Sequence, residues 1–324
     1  MRIRENMPLQ GVKGGELLKF IVIGSINMDF NFKVSHLPLK GETLKATVFK
    51  TTPGGKGANQ AVALARLGGK VMMIGAVGSD EAGISLKKSL LQEGIDIKAI
   101  KDVDTPTGNA FITVDEKGNN TILVFPGANG GLDSKWIYNF TDEIKEASYV
   151  ILQLEIPLCT VIDAIELSHK IGTRIILNPA PAQELPKEIF PQINILTPNE
   201  TELALLTGID VITEDDVLKA SNILIEKGVQ KVVVTLGEKG CFYMDRENHY
   251  FVKSFKVDSV DSTAAGDAFT AGFAIALAEQ RSLNDTLKFA SAVGALTVTK
   301  TGAQESLPFR ADVENFLRMV KNEE

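Results

Sequence analysis

At 324 residues the chain exceeds the ~250–300 at which single cores stop growing, so one large domain with a smaller appendage is expected. Its 34 basic and 41 acidic residues leave a net charge of −7, and no Lys/Arg run interrupts them, which argues against nucleic acid or an anionic membrane as the main partner. Two cysteines, Cys159 and Cys241, both in apolar stretches, make no disulfide framework, and no apolar run approaches the ~18 residues of a membrane span.

In chain order, residues 1–18 begin with positive charge but lack a continuous apolar segment; they read as a loose extension rather than a secretory signal, which favours a cytoplasmic location. Residues 20–24 form a strand. Residues 29–50 hold two strand-like runs, 30–34 and 42–49. A glycine-rich segment then leads into a helix over 58–67, a strand over 71–77 and a helix over 83–93. Residues 105–125 read as a hairpin, 110–114 and 121–125, turning at Gly118, Asn119 and Asn120. Further strands follow at 149–154, 174–177, 193–196 and 231–236, with helices at 160–170, 200–207 and 215–227. Helices at 268–278 and 283–300, and one from about 312, complete the chain. Nearly continuous apolar strands closed by Gly, Pro or Asn are covered on both faces. Their alternation with helices implies right-handed crossovers and an α/β fold: three layers, αβα, with a mostly parallel central sheet. The expected division is 19–28, 51–104 and 126–324 in the large domain, with 29–50 and 105–125 forming a small β-sheet over one edge.

Several chemistries find no support. His36, His169 and His249 have no ligand spacing, and neither Cys-x-x-Cys nor Gly-x-Ser-x-Gly occurs. A dinucleotide fingerprint should follow the first strand, but the sequence there is Gly24-Ser25-Ile26-Asn27-Met28-Asp29. In open α/β sheets ligands bind beyond the carboxyl ends of the strands. The polar residues falling there are Asn27 and Asp29, then Glu155, Asn199 and Glu202, Gly237, and, after a run ending at Val260, Asp261 and Asp267.

Three segments are rich in chemistry. Gly54-Gly55-Lys56-Gly57-Ala58-Asn59-Gln60 lets backbone approach a ligand closely and sets Asn59 and Gln60 in a first helical turn, although a plain tight turn explains the glycines too. Asp261-Ser262-Thr263-Ala264-Ala265-Gly266-Asp267 opens an apolar helix, whose free N–H groups and dipole favour an anion. Asp267 in that turn can accept a proton from a hydroxyl, or serve only as a favourable helix-start charge. Asn199 and Glu202, three apart, suit either hydrated Mg²⁺ or a capping box.

With these motifs in order, residues 20–310 resemble the ribokinase-like (PfkB-type) carbohydrate kinases. The Gly24–Asp29 stretch is similar to that family's sugar-binding strand end. The segments at 54–61 and 261–267 resemble its two signatures, and Asn199-Glu200-Thr201-Glu202 its Asn-x-x-Glu motif. The resemblance implies ATP-dependent phosphorylation of D-ribose at its 5-hydroxyl. Asp267 would be the general base, and the backbone of Ala264, Ala265 and Gly266 the anion hole. Asn27, Asp29, Gly54, Gly55, Lys56, Asn59 and Glu155 would hold the sugar; Asp29 accepts from hydroxyls, while Asn27 and Asn59 donate. Asn199, Thr235, Gly237, Gly240, Gly266 and Ser291 would border the nucleotide, and Asn199 with Glu202 would act on Mg²⁺ through water. A monovalent cation, K⁺, would take Asp261, Thr263, Thr297, Lys300, Gly302 and Ser306. The small sheet would be a lid pairing two copies into a homodimer. Ser291 stands where many relatives carry Asn or His, and Lys300 where Arg is frequent. A kinase acting on deoxyribose, fructose or a nucleoside is the alternative. A sugar-binding regulator without catalysis is a further one, against which the intact Asp267, Gly266 and Asn199/Glu202 speak.

Overall fold

The computed structural model describes residues 18–323, so the extension expected over 1–18 lies, save Leu18, outside the described residues. The elements in order are β1 (Lys19–Ile23), β2 (Asn27–Lys33), β3 (Val48–Gly54), α1 (Lys56–Arg66), β4 (Lys70–Gly78), α2 (Glu81–Gln92), β5 (Ile100–Val103), β6 (Gly108–Val114) and β7 (Asn120–Phe125). Then come α3 (Ser134–Tyr138), α4 (Thr141–Glu146), β8 (Tyr149–Leu152), α5 (Leu158–Lys170), β9 (Ile175–Leu177), β10 (Ile195–Leu196), α6 (Glu200–Thr207) and α7 (Glu214–Glu226). The chain continues with β11 (Lys231–Thr235), β12 (Cys241–Met244), β13 (His249–Val252), α8 (Ala265–Ala278), α9 (Leu283–Val298) and α10 (Arg310–Glu323).

A nine-stranded sheet runs β13-β12-β11-β10-β9-β8-β1-β4-β5, parallel from β11 to β5, with β12 and β13 antiparallel at one edge. Its central strands are apolar because each face meets a different core. Phe20 and Val22 of β1 join one buried cluster, while Ile21 and Ile23 join the other; Val71 and Met73 of β4 divide from Met72 and Ile74 in the same way. Each such side chain contributes about 1.5–3 kcal/mol on burial. On the first face α8 lies between α1 and α9. Its run from Asp267 to Ala278 is buried all round, and small residues let it sit close: a Cβ on Gly272 would stand 3.1 Å from Ala290 Cα.

The second sheet has four strands, β3-β2-β6-β7. β2 pairs antiparallel with β3 and parallel with β6, and β6 with β7 forms the expected hairpin. Asp115 closes that turn, accepting from Lys117 N–H and Asn119 N–H at 2.9 and 2.8 Å, with Gly118 at φ 84°. The strand expected over 42–49 instead runs from Val48 to Gly54. Register explains this: β2 pairs from Lys33↔Val48 to Asn27↔Gly54, so residues 42–47 have no partner strand. Nor does a strand end at Val260, because β13 stops at Val252 and an irregular stretch carries the chain to α8. Cys241 is buried as its surroundings suggest, but Cys159, in the first turn of α5, is exposed. Among the described residues no helix is long and apolar enough to cross a membrane.

Candidate active site

The chain leaves β1 through Gly24-Ser25-Ile26 and enters β2, which places Asn27 and Asp29 on a strand of the smaller sheet rather than in a loop. Being two apart, they face the same side. Asn129 accepts from Ile26 N–H at 2.9 Å and donates through Nδ2 to Asn27 Oδ1 at 2.7 Å. That fixes the Asn27 amide and leaves its NH₂ group to donate. Glycines flank β2 in register, Gly54 on β3 and Gly108 on β6. A Cβ at Gly54 would lie 2.0 Å from Asp29 Oδ2, and one at Gly108 2.4 Å from Asn27 Oδ1. The glycines supply the space these two polar side chains occupy.

β3 passes directly into α1 through Gly55 (φ 88°), whose Cβ would lie 2.8 Å from Asn27 N. Glu155, beyond β8, pins this junction. Its Oε2 accepts from Ser25 Oγ at 2.5 Å and from Lys56 N–H at 3.0 Å, and Ser25 Oγ accepts from Gly57 N–H at 3.3 Å.

Asp267, in the first turn of α8, is 5% exposed and faces α1. Asn59 Nδ2 donates to its Oδ2 at 3.0 Å and Gln60 Nε2 to its Oδ1 at 2.9 Å. Asn59 thus spends one amide hydrogen on Asp267 and keeps the second to donate. Its NH₂ group is turned to Asp267, and the atom left buried without a partner is the acceptor Oδ1, as is Asp29 Oδ1. Burial pushes the Asp267 carboxyl up against the opposing pull of Lys56, Asn59 and Gln60. Asp29 is pushed to about 7 by burial, with Glu155 and Asp267 adding to it. Burial draws the Lys56 ammonium down, but the carboxylates of Asp267, Glu155 and Glu202 outweigh it and raise its pKa.

The α8 N-terminus completes the site. Ala264 stands in the left-handed region (φ 60°), unfavourable for a residue with a Cβ, and no side chain caps the helix. Ala265 N–H bonds Ser262 O at 3.2 Å, so of the expected anion-hole amides this one is engaged; those of Ala264, Gly266 and Asp267 itself have no acceptor among the described residues. Around Gly266 the space is open. A buried carboxylate thus stands beside N–H groups at the positive end of a helix dipole, close to the buried polar side chains of Asn59 and Asp29.

The chain as a whole is similar to known proteins. Residues 18–310 match the profile of the pfkB family carbohydrate kinases. The chain belongs to that family. It is 42% identical to a ribokinase of Haemophilus influenzae over 91% of this chain and 97% of that one. It is 38% identical to a deoxyribokinase of Salmonella typhi over 92% and 98%. The structure of Arabidopsis thaliana ribokinase complexed with ribose and ATP superposes with a TM-score of 0.88, at 33% identity, covering 93% of this chain and 99% of that one.

In this carbohydrate kinase Asn199 and Glu202 form the capping box of α6. Asn199 Oδ1 accepts from Glu202 N–H at 2.8 Å, and Glu202 Oε2 and Oε1 accept from Asn199 N–H and Nδ2 at 2.8 and 3.0 Å. The pair is thus closed on itself, each side chain satisfying the other's backbone N–H. Glu202 nevertheless looks into the site: burial raises its pKa, the Asn199 N–H and Lys56 lower it, and Asp267 raises it further. Thr235, at the end of β11, bridges to Asn199. Gly237 (φ 55°) borders open space, whereas a Cβ on Gly240 (φ 109°) would lie 2.0 Å from Val252 O, so β13 demands that glycine. Ser291 on α9 is buried with Oγ 3.7 Å from Cys241 Sγ, and burial pushes that thiol up to about 11.

Asp261 ties two loops together. Its Oδ1 accepts from Thr263 N–H and Oγ1 at 2.9 and 2.6 Å, its Oδ2 from Gly302 N–H at 2.9 Å. The carbonyls of Asp261, Thr263, Lys300 and Gly302 accept no hydrogen bond from the described residues. Thr297 and Ser306 spend their hydroxyl protons on Val293 O and Ala303 O, both at 2.8 Å, and keep oxygen lone pairs. Among the described residues no group of three or more His, Cys, Asp or Glu is placed to hold a metal. A cation here would meet carbonyls and hydroxyls, a donor set suited to a weakly charged ion.

Sequence reasoning placed Asp267, Asn59, Asp29 and Asn27 but missed the amides that orient them: Gln60, Asn129, Gln153 and Asn178. Only Gln60 carried a signal, as the neighbour of Asn59 in the glycine-rich motif.

Proposed function

We propose that this protein transfers the γ-phosphoryl group of ATP to the 5-hydroxyl of D-ribose, giving D-ribose 5-phosphate and ADP. The observation that carries the reading is the Asp267 carboxylate, buried between amide donors of α1 and the unpaired N–H groups that open α8. Phosphoryl transfer asks for positioning and charge stabilisation more than covalent chemistry. Asp267 takes the hydroxyl proton as the oxygen attacks. The N–H groups of Gly266 and Asp267 receive the charge that develops on the transferred group. Asp29 Oδ1 and Asn59 Oδ1 accept from sugar hydroxyls, and Asn27 donates; Gly54, Gly55 and Lys56 line the same cradle. A hydroxyl missing from the sugar leaves these buried atoms unpaired, at about 1–3 kcal/mol each.

Thr235, Gly237 and Ser291 border the nucleotide. Mg²⁺, held through water by Asn199 and Glu202, would neutralise phosphate charge. The unpaired carbonyls around Asp261, together with Thr297 and Ser306, fit K⁺. The exposed apolar residues Val48, Phe49, Phe111, Ile122, Leu123, Val124 and Phe125 make the smaller sheet a lid over the sugar and a clasp for a second copy. The two free cysteines suit a cytoplasmic setting.

The similarity to a deoxyribokinase makes 2-deoxyribose the second reading. ADP release measured over ribose, 2-deoxyribose, fructose and nucleosides separates the two. ADP is expected only with sugar, ATP and Mg²⁺ together, fastest with ribose, and faster in K⁺ than in Na⁺. Higher kcat/KM for 2-deoxyribose would shift the assignment, and sugar-independent release would remove it.

A further inference from the structure

Gln60 is fully buried, so it reaches neither sugar nor solvent, yet its side chain meets the Asp267 carboxylate. A lone amide could face either way, but here its neighbours decide. Gln153 Nε2 donates to Gln60 Oε1 at 2.7 Å, which turns the Gln60 NH₂ group away from Gln153. That group then donates to Asp267 Oδ1 at 2.9 Å and to Asn178 Oδ1 at 3.1 Å. Asn178 is oriented in turn by its Nδ2, which donates to Thr197 O at 2.9 Å. Reversing Gln60 would set its oxygen against two acceptors. The room for Gln153 comes from Gly24, where a Cβ would lie 1.9 Å from Gln153 Oε1.

We propose that Gln60 is a positioning residue for phosphoryl transfer: locked by Gln153 and Asn178, it fixes the rotation of the Asp267 carboxylate and leaves Oδ2 to receive the hydroxyl proton. The inference rests on Asp267 being the base. The two oxygens are not equivalent, because Oδ1 faces the fully buried Gln60 while Oδ2 is shared with Asn59, which has an unpaired acceptor of its own. The donated hydrogen bond also favours the ionised carboxylate against the burial that opposes it. The charged groups acting on this carboxylate are Lys56 of α1, Glu155 beyond β8, Asp29 of β2 and Glu202 of α6. Gln60 and Asn59 are the uncharged donors among them, and of the two Gln60 is the one fully buried.

The test is the pH dependence of single-turnover phosphoryl transfer in the full-length protein. It compares wild type with Gln60→Met, Gln153→Met, the double variant and Asp267→Asn. Gln60→Met is expected to slow transfer about tenfold to a hundredfold, the cost of a misplaced reacting group. The acidic limb moves to higher pH, and the sugar KM stays nearly unchanged because the residue touches no ligand. Gln153→Met shifts the limb the same way by less, and the double variant is no worse than Gln60→Met alone. A space-filling role predicts lower thermal stability with the limb where wild type has it, and that result overturns the inference while leaving Asp267 as the base. Should Gln60→Met fail to fold, the limb of Gln153→Met decides by the same criterion. Wild-type turnover in Asp267→Asn removes the base and the inference together.

Discussion

Asp267 faces opposite electrical demands: burial disfavours its charge, while the proposed proton acceptance requires it. Lys56, Asn59 and Gln60 supply the compensation. Asp267→Asn keeps the shape but cannot take a proton, so kcat should fall by about 10²–10⁴ in a steady-state ADP assay. Asp29 differs, since its carboxyl is pushed to about 7 in the folded protein, above its ordinary 3.8. From about pH 4 to 7 the folded chain therefore holds a proton that the unfolded chain has released. Stability falls as pH rises through that window and levels off above it. Asp29→Asn has no such proton. Its thermal midpoint in the sugar-free state should match wild type near pH 4 and exceed it at pH 8, with a stability difference of at most roughly 4 kcal/mol, while sugar binding weakens. Scanning calorimetry at the two pH values, with sugar titrations, checks this. These carboxylates were legible because each sits in a short motif at a strand end or helix start. The direction of the Asn59 amide was not, since it is set by a residue 208 positions away.

Among elements, the legible ones were those whose composition matches their burial. Most of the parallel strands are apolar on both faces and punctuated by Gly, Pro or Asn, so their positions followed from local pattern; β5 escaped because Lys101 and Asp102 break its apolar run. The β12–β13 hairpin escaped because its turn has no Gly or Pro; it is closed instead by Asp245, which accepts from Glu247 N–H and Asn248 N–H at 2.9 and 2.8 Å. The glycine-rich motif looked like a single loop. It is the last residue of β3 followed by the first turn of α1, and its glycines answer to different neighbours. Gly54→Ala makes the distinction measurable. Its added Cβ meets the Asp29 carboxylate rather than backbone, so the strand should persist and the thermal midpoint change little. Sugar affinity should drop about tenfold or more as Asp29 is displaced. Calorimetric titration of sugar separates this from unfolding, which would lose both.

For the whole molecule, length and composition pointed to a large domain with a small companion, but the order of the smaller sheet was beyond local pattern. β2 and β3 come from one stretch of chain, β6 and β7 from another, and only β2–β6 pairing joins them. That sheet leaves Phe49, Leu123 and other apolar residues uncovered. A wild-type dimer in sedimentation velocity is expected, with Phe49→Asp/Leu123→Asp shifted to monomer; a wild-type monomer would refute the clasp. The whole assembly exists, on this account, to bring one sugar hydroxyl between Asp267 and the start of α8. The most direct measurement is a crystal structure with ribose and a non-hydrolysable ATP analogue. The account predicts the 5-oxygen within hydrogen-bond reach of Asp267, about 2.6–3.2 Å, and the terminal phosphate on the N–H groups of Gly266 and Asp267. A sugar whose 5-oxygen lies away from Asp267, or a phosphate bound elsewhere, would contradict it.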